Sequence, residues 1–253
     1  MKHELQKAGI WKRIAAWLFD FILWGILAVA MGTALSWLLG YDSRSTDLDR
    51  IYALYEHEYG VVFDITQTEY LALSEEARQN YDMAYAALAA DPEAAQAYTW
   101  LMNLTLLITT GGILIATLIW DFLIPLLFGN GQTLGKKIFG LCLVRTDGVK
   151  MNTMQLFTRT ILGKFTLETM IPVYVLLMLF WGTVGLNGTL ILLALMCIQT
   201  GCVCFTRTRS AIHDLLAGTA VVDMSSQTIF ASSEELIEYQ KRIAAERAAR
   251  QSY

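Results

Sequence analysis

Apolar positions in this chain gather into long runs with few polar interruptions. Such runs predict membrane spans when they reach about 18 residues or more. Spans are expected at 14–39, 101–128, 167–184 and 186–205. Only a Gly/Asn-rich turn, 182–188, separates the last two, which predicts one tight helical hairpin. Between the first two runs the pattern is that of a folded helical segment. Thr66-x-x-Glu69 has capping-box spacing ahead of YLALSEEARQNYDMAYAALA. Asp91-Pro92-Glu93 reads as N-cap, first-turn proline and acidic first turn, so a helix starts there and can run into the second span. Tyr52, Tyr55, Tyr59, Tyr70, Tyr81, Tyr85 and Tyr98 add apolar surface with polar tips. A helical lid resting on the outer ends of the spans is the expectation, ahead of a receptor-like cap.

Behind the second run comes GNGQTLGKKIFGLCLVRTDGVKMN, residues 129–152. Its glycines do not have the spacing of a phosphate-binding loop. Residues 132–140 predict a short amphipathic segment, with Lys136 and Lys137 near anionic headgroups. Leu141 to Val144 is strand-like and stops at the turn signal Asp147-Gly148. A second strand-like run, Thr219 to Val222, follows the fourth span, and pairing of 141–145 with 219–223 is expected. The tail opens with the capping box Ser232-x-x-Glu235 and continues with Glu238/Arg242 and Glu246/Arg250 at i,i+4, a solvated helix.

Composition fits a membrane class: of 253 residues, 55% are hydrophobic and only 3 are proline. Charge then orients the chain. The segment 40–99 carries three arginines against twelve acidic residues, a net of −9, and all other Lys and Arg lie outside it. Positive residues stay cytoplasmic, so both termini and the 129–166 loop are expected inside, with 40–99 outside. A cleaved signal peptide ending near Ala28-Val29-Ala30 is disfavoured, because the apolar run continues past it and contains Asp20. The cysteines, Cys142, Cys197, Cys202 and Cys204, lack zinc-site spacing and read as small apolar side chains.

Candidate chemistry sits inside the apolar runs. An ionisable group at a helix centre costs ~2.5–3.5 kcal/mol on insertion scales, so it needs a partner or a use. Arg13 and Asp20 are seven residues apart, about two helical turns, and share a face. Asp121 lies in the second, antiparallel span at nearly the depth of Asp20, so the two carboxylates are expected to face each other. Pro125 has no N–H and frees the carbonyl of residue 121. Together these oxygens suit a cation or a shared proton. Equally, Arg13 can pair with one or both aspartates as a structural lock, and the sequence leaves both open. The two readings differ in stability. Neutralising one of two crowded carboxylates is nearly neutral or stabilising, whereas breaking a lock is strongly destabilising. His213-Asp214 reads as a junction hydrogen-bonding pair rather than a proton relay. No Ser/His/Asp, metal-ligand or nucleotide motif stands out, so the chain is not expected to be an enzyme, and no cofactor, metal or nucleic acid is called for.

These residues resemble the RDD family of integral membrane proteins. Its defining arginine and two aspartates fall on Arg13, Asp20 and Asp121. The stretches 131–148, with Gly131, Gln132, Gly135, Lys136 and Lys137, and 211–223, with His213 and Asp214, resemble its other motifs. The resemblance implies a membrane protein and a possible transporter of small solutes or ions; sodium/proton exchange has been suggested for some members. The expected fold is an all-α polytopic membrane protein: four transmembrane helices, an external helical insertion and a small cytoplasmic two-stranded sheet. Its expected parts are 1–39 (N-terminus and first span), 40–99 (external acidic insertion), 100–223 (membrane core) and 224–253 (C-terminal helix). The expected place is the cytoplasmic membrane of a prokaryote. The expected function is a transport component acting on a monovalent cation or proton. Four helices make a thin wall, so a homo-oligomer in the lipid bilayer is expected. The alternative is a non-transporting scaffold or regulator of other membrane proteins.

Overall fold

The computed structural model describes residues 5, 8–172, 190, 193–194, 197–198, 200–202 and 211–251. Most of the third and fourth expected spans, with the turn 182–188 and Cys204, lie outside the described residues. Among the described residues, two helices are long and apolar enough to cross a membrane. The first, α1, is Ile10–Leu38. Trp17, Phe21, Ile22, Ile26 and Val29 leave most of their surface uncovered, as a lipid-facing helix requires. The second begins as α5, Pro92–Thr117, passes through a π-helical turn, Leu118–Leu123, and ends as α6, Ile124–Phe128. Asp91 caps its start, with Oδ1 accepting from the Glu93 N–H at 2.8 Å.

The described residues form two compact units. One, Ala30–Gly112, contains α2, Tyr41–Tyr59, α3, Gln67–Ala72, and α4, Glu75–Ala90. The capping box at Thr66 and Glu69 is present in both directions. The helix it starts is short, however. Leu73 turns extended, and Ser74 caps a new helix by accepting from the Ala77 N–H. Edge-to-face contacts from Tyr52 to Phe63, Phe63 to Tyr81 and Tyr70 to Tyr81 join the helices. Tyrosine tips reach carboxylates: Tyr55 donates to Asp91 at 3.0 Å and Tyr70 to Asp82 at 2.8 Å.

The other unit contains residues up to Val29 and those from Ile113 onward. Its centre is a two-stranded antiparallel sheet. β1, Leu141–Arg145, pairs with β2, Thr219–Asp223, in the register Leu141 to Asp223 through Arg145 to Thr219. The period of two sorts its faces. Leu141, Leu143 and Val221 pack on Ala8 and Ala16, at the start of α1. Cys142, Val144 and Val222 pack on Leu5 and Ile229. Burial of the Cys142 thiol pushes it up to about 11, so it is inert at neutral pH. Lys12 reaches across to Asp223 at 2.7 Å, holding that carboxyl down at about 2 with help from Ser225. The short helices α7, Leu134–Ile138, α8, Thr153–Phe157, and α9, Ile212–Ala217, surround the sheet, and a π-helix, Thr158–Glu168, follows α8 directly.

The tail helix α10, Ser233–Gln251, is capped by Ser232, which accepts from the Glu235 N–H at 3.2 Å. Its base is anchored rather than simply solvated: Phe230 bonds the backbone of Gly148 and Lys150 and packs with Val149 and Leu236.

Candidate functional site

The Asp20 carboxylate is solvated by protein groups. Its Oδ1 accepts from the Gly135 N–H at 2.8 Å and from Trp120 Nε1 at 3.3 Å. Its Oδ2 accepts from the Thr133 hydroxyl and lies 3.9 Å from Lys136 Nζ. Both donors from α7 are there for local reasons. Thr133 is the N-cap of α7 and accepts from the Lys136 N–H. Gly135 lets the helix come close, since a Cβ there would strike the Ala16 carbonyl oxygen and sit 2.8 Å from Asp20 Cγ. Gln132 holds the loop to the sheet by donating to the Leu141 carbonyl at 2.7 Å, and Gly131 turns the chain at φ 63°.

Lys136 is therefore not at a headgroup surface as the sequence suggested. It is 12% exposed, turned inward, and bonded to Thr133 Oγ1 at 3.1 Å. The helical phase explains it, because the cap that aims Thr133 at Asp20 brings Lys136 to the same side. Lys137 lies instead over the Phe128 ring at 4.1 Å.

The first two spans meet here, and the two aspartates take different direct partners. Trp24 Nε1 donates to Thr117 at 3.1 Å, and one turn on it is Trp120 that reaches Asp20. The π-helical turn re-phases residue 121. Asp121 points to the π-helix 158–168 and forms an ion pair with Lys164. The carbonyl near Pro125 also has a partner there: Thr160 donates to Asp121 O at 3.0 Å. The oxygen-rich spot read from the sequence is thus occupied by the chain's own ammonium and hydroxyl groups.

A second cluster adjoins the first. Arg159, 3% exposed at its side chain, donates from Nε to Asp214 Oδ1 at 2.8 Å. Its Nη2 is 2.8 Å from His213 Nε2. A guanidinium only donates, so that ring nitrogen is the acceptor. The proton is then on Nδ1, which donates to Glu168 Oε1 at 2.5 Å, and the imidazole is neutral. Burial lowers the His213 pKa, and Arg159 lowers it further. Burial pushes the Asp214 carboxyl up, but the Arg159 guanidinium, which also hydrogen-bonds it, outweighs burial with help from Arg13 and holds it below the ordinary range. Thr219 of β2 donates to the same carboxylate at 3.0 Å. Gly163 makes this packing possible: a Cβ there would meet His213 Cβ at 2.5 Å and Cα at 2.7 Å.

Both clusters line one cavity of about 280 Å³, whose walls include Arg13, Asp20, Lys136, Lys164, Arg159 and His213. Arg13 thus belongs to the site and adds to the field on Asp214. Among the described residues, no cluster of three or more His, Cys, Asp and Glu side chains is placed to hold a metal ion. Sequence reasoning missed Trp120, Thr133, Arg159, Thr160, Lys164 and Glu168. Arg159 and Lys164 had counted only as inside-positive charge. Their five-residue spacing, close to one π-helical turn, was the available signal.

The family model of the RDD family matches residues 7–218. No curated protein and no solved structure matches the chain. The match takes in Arg13, Asp20, Asp121 and the elements that supply their partners, and it covers most of the chain, so the chain belongs to the RDD family, whose members are membrane proteins.

Proposed function

We propose that the chain is a non-enzymatic transport component for small monovalent cations or protons in the cytoplasmic membrane. In this reading it is polytopic with four spans, 167–184 and 186–205 being the third and fourth, both termini and the sheet are cytoplasmic, and 40–99 is external. Its pathway is completed by a homo-oligomer. The observation that carries the reading is the cavity itself, lined by Asp20 of the first membrane helix with Lys136 and Lys164, the second lysine being paired with Asp121 of the other membrane helix. Charges kept at that depth are expensive and typically line ion or proton pathways.

The alternative, a scaffold whose charges only lock the fold, draws on the same contacts, because each aspartate has its own lysine. The pairing also changes what stability can tell. Neutralising Asp20 or Asp121 leaves a lysine without its carboxylate, so both readings now predict destabilisation, and only flux separates them. Proteoliposomes of the wild-type chain are expected to move sodium, potassium or protons down an imposed gradient. Asp20→Asn, checked for retained folding by size exclusion, is expected to stop that flux. A silent wild type would leave the scaffold reading standing.

A further inference from the structure

The unit Ala30–Gly112 holds a cavity of its own, about 400 Å³, which shares no residue with the charged site. Three helices form it. Tyr52 of α2, Tyr85 of α4 and Tyr98 of α5 stand around it. Leu88 and Ala94, both buried, make its floor. Alanines rather than longer side chains occupy positions 89, 94 and 95 of the wall, so the space between the rings stays open. The volume is that of a small-molecule site. No charged side chain lines it, within a segment, 40–99, whose net charge is −9.

These three tyrosines differ from their neighbours. Tyr55, Tyr70 and Tyr81 donate to Asp91, Asp82 and the Phe63 carbonyl, whereas, among the described residues, the hydroxyls of Tyr52, Tyr85 and Tyr98 bond no protein group. The rings differ too. Arg44 lies over Trp100 at 5.9 Å and Arg78 over Tyr70 at 5.6 Å, so two of the segment's three basic side chains already cover aromatic faces elsewhere. Among the described residues, no arginine or lysine covers a ring of the cavity. Tyr52 is held in place by an edge-to-face contact with Phe63 at 5.7 Å, and Phe63 is held in turn by Tyr81, so this side of the cavity is set before anything enters it. Aromatic faces attract cations, and the surrounding negative field raises the local concentration of cations. The chemistry of the lining then selects among them. A metal ion needs several oxygen ligands, and a primary ammonium leaving water needs acceptors for its N–H groups. The cavity offers no carboxylate for either. A quaternary ammonium has no N–H to satisfy and presents only methyl groups to the rings.

We propose that Tyr52, Tyr85 and Tyr98 form an aromatic cage that binds a quaternary ammonium group of the trimethylammonium type. The group is carried by free choline and by the choline headgroup of a lipid, and the cage recognises what the two share. The proposal stands apart from the transport reading, whose failure leaves it intact.

The test is titration calorimetry of the full-length chain in a maltoside detergent, which carries no ammonium group. Choline chloride and tetramethylammonium chloride are the probes. Both are expected to bind, more weakly as salt is raised. The tert-butyl analogue of choline, in which carbon replaces the nitrogen, has the same shape without the charge and is expected to bind about tenfold more weakly. Tyr85 is 61% exposed, so its replacement spares the core. Tyr85→Leu is expected to weaken choline binding about fivefold, and Tyr85→Phe, which keeps the ring face, to leave it close to wild type. Ala89→Leu fills the cavity from an exposed position with every ring in place, and is expected to abolish binding at an unchanged melting temperature. Nanodiscs of phosphatidylcholine against phosphatidylglycerol separate the two sources: weaker choline binding in the first assigns the cage to a lipid headgroup, equal binding assigns it to a free solute, and both uphold it. A wild type that binds neither probe, a tert-butyl analogue that binds as tightly as choline, or an Ala89→Leu variant that binds like wild type overturns the proposal.

Discussion

A methyl group at position 135 would collide with the Ala16 carbonyl oxygen and crowd the Asp20 carboxylate. Gly135→Ala is therefore expected to push α7 off α1 and break the 2.8 Å bond from the residue 135 N–H to Asp20. Overpacking of this kind costs about 1–3 kcal/mol. A fall in melting temperature with a blue or red shift of Trp120 emission would report it, and an unchanged melt would contradict the close contact. At this scale the sequence announces the expensive residues and hides their partners. Arg13, Asp20 and Asp121 stand out because charge inside an apolar run is rare. Lys136, Lys164 and Arg159 fall in the 129–166 segment between expected spans, where the positive-inside rule already accounts for basic residues, so nothing in the sequence marks them as partners of the carboxylates.

Elements bounded by side-chain chemistry are the legible ones. The expected pairing of 141–145 with 219–223 forms because each run is apolar and is bounded by a turn or junction glycine. The long second helix starts at Asp91-Pro92 as the capping residues dictate. Where the sequence misleads, a cap is embedded in an otherwise continuous helical pattern. Ser74 followed by Glu75 and Glu76 starts α4, although the apolar spacing reads through from Tyr70. Ser74→Ala is expected to remove about 0.5–2 kcal/mol from the start of α4, read as faster amide exchange at residues 75–78 with exchange in 84–90 unchanged. The π-helical turns were not legible, since their extra residue per turn comes from tertiary demands on Asp121 and Arg159 rather than from local propensity.

For the molecule as a whole, the buried cluster at Arg159 sets the response to acid. Asp214 has a depressed pKa, so its contribution is full above the ordinary carboxylate range and is lost as pH falls through the depressed value. His213 is also depressed: unfolded, it takes up a proton near pH ~6.5, and folded it resists, so stability falls as pH drops below that point. Both effects have the same sign. Thermal melts in detergent are expected to show lower stability at pH 5 than at pH 7.5, with His213→Gln flattening that limb. A wild type more stable at pH 5 would refute the neutral assignment.

The contacts of Asp20 are also a matter of timing. Thr133 and Gly135, which solvate its carboxylate, follow it by 113 and 115 residues. At ~5–20 residues per second they emerge roughly 6–23 s after Asp20 is made. The first helix thus meets the translocon carrying a carboxylate whose partners do not yet exist, at an insertion penalty of ~2.5–3.5 kcal/mol if it reaches the centre. Biogenesis of this protein has a waiting period, which ends only when α7 arrives with the Thr133 hydroxyl and the Gly135 N–H.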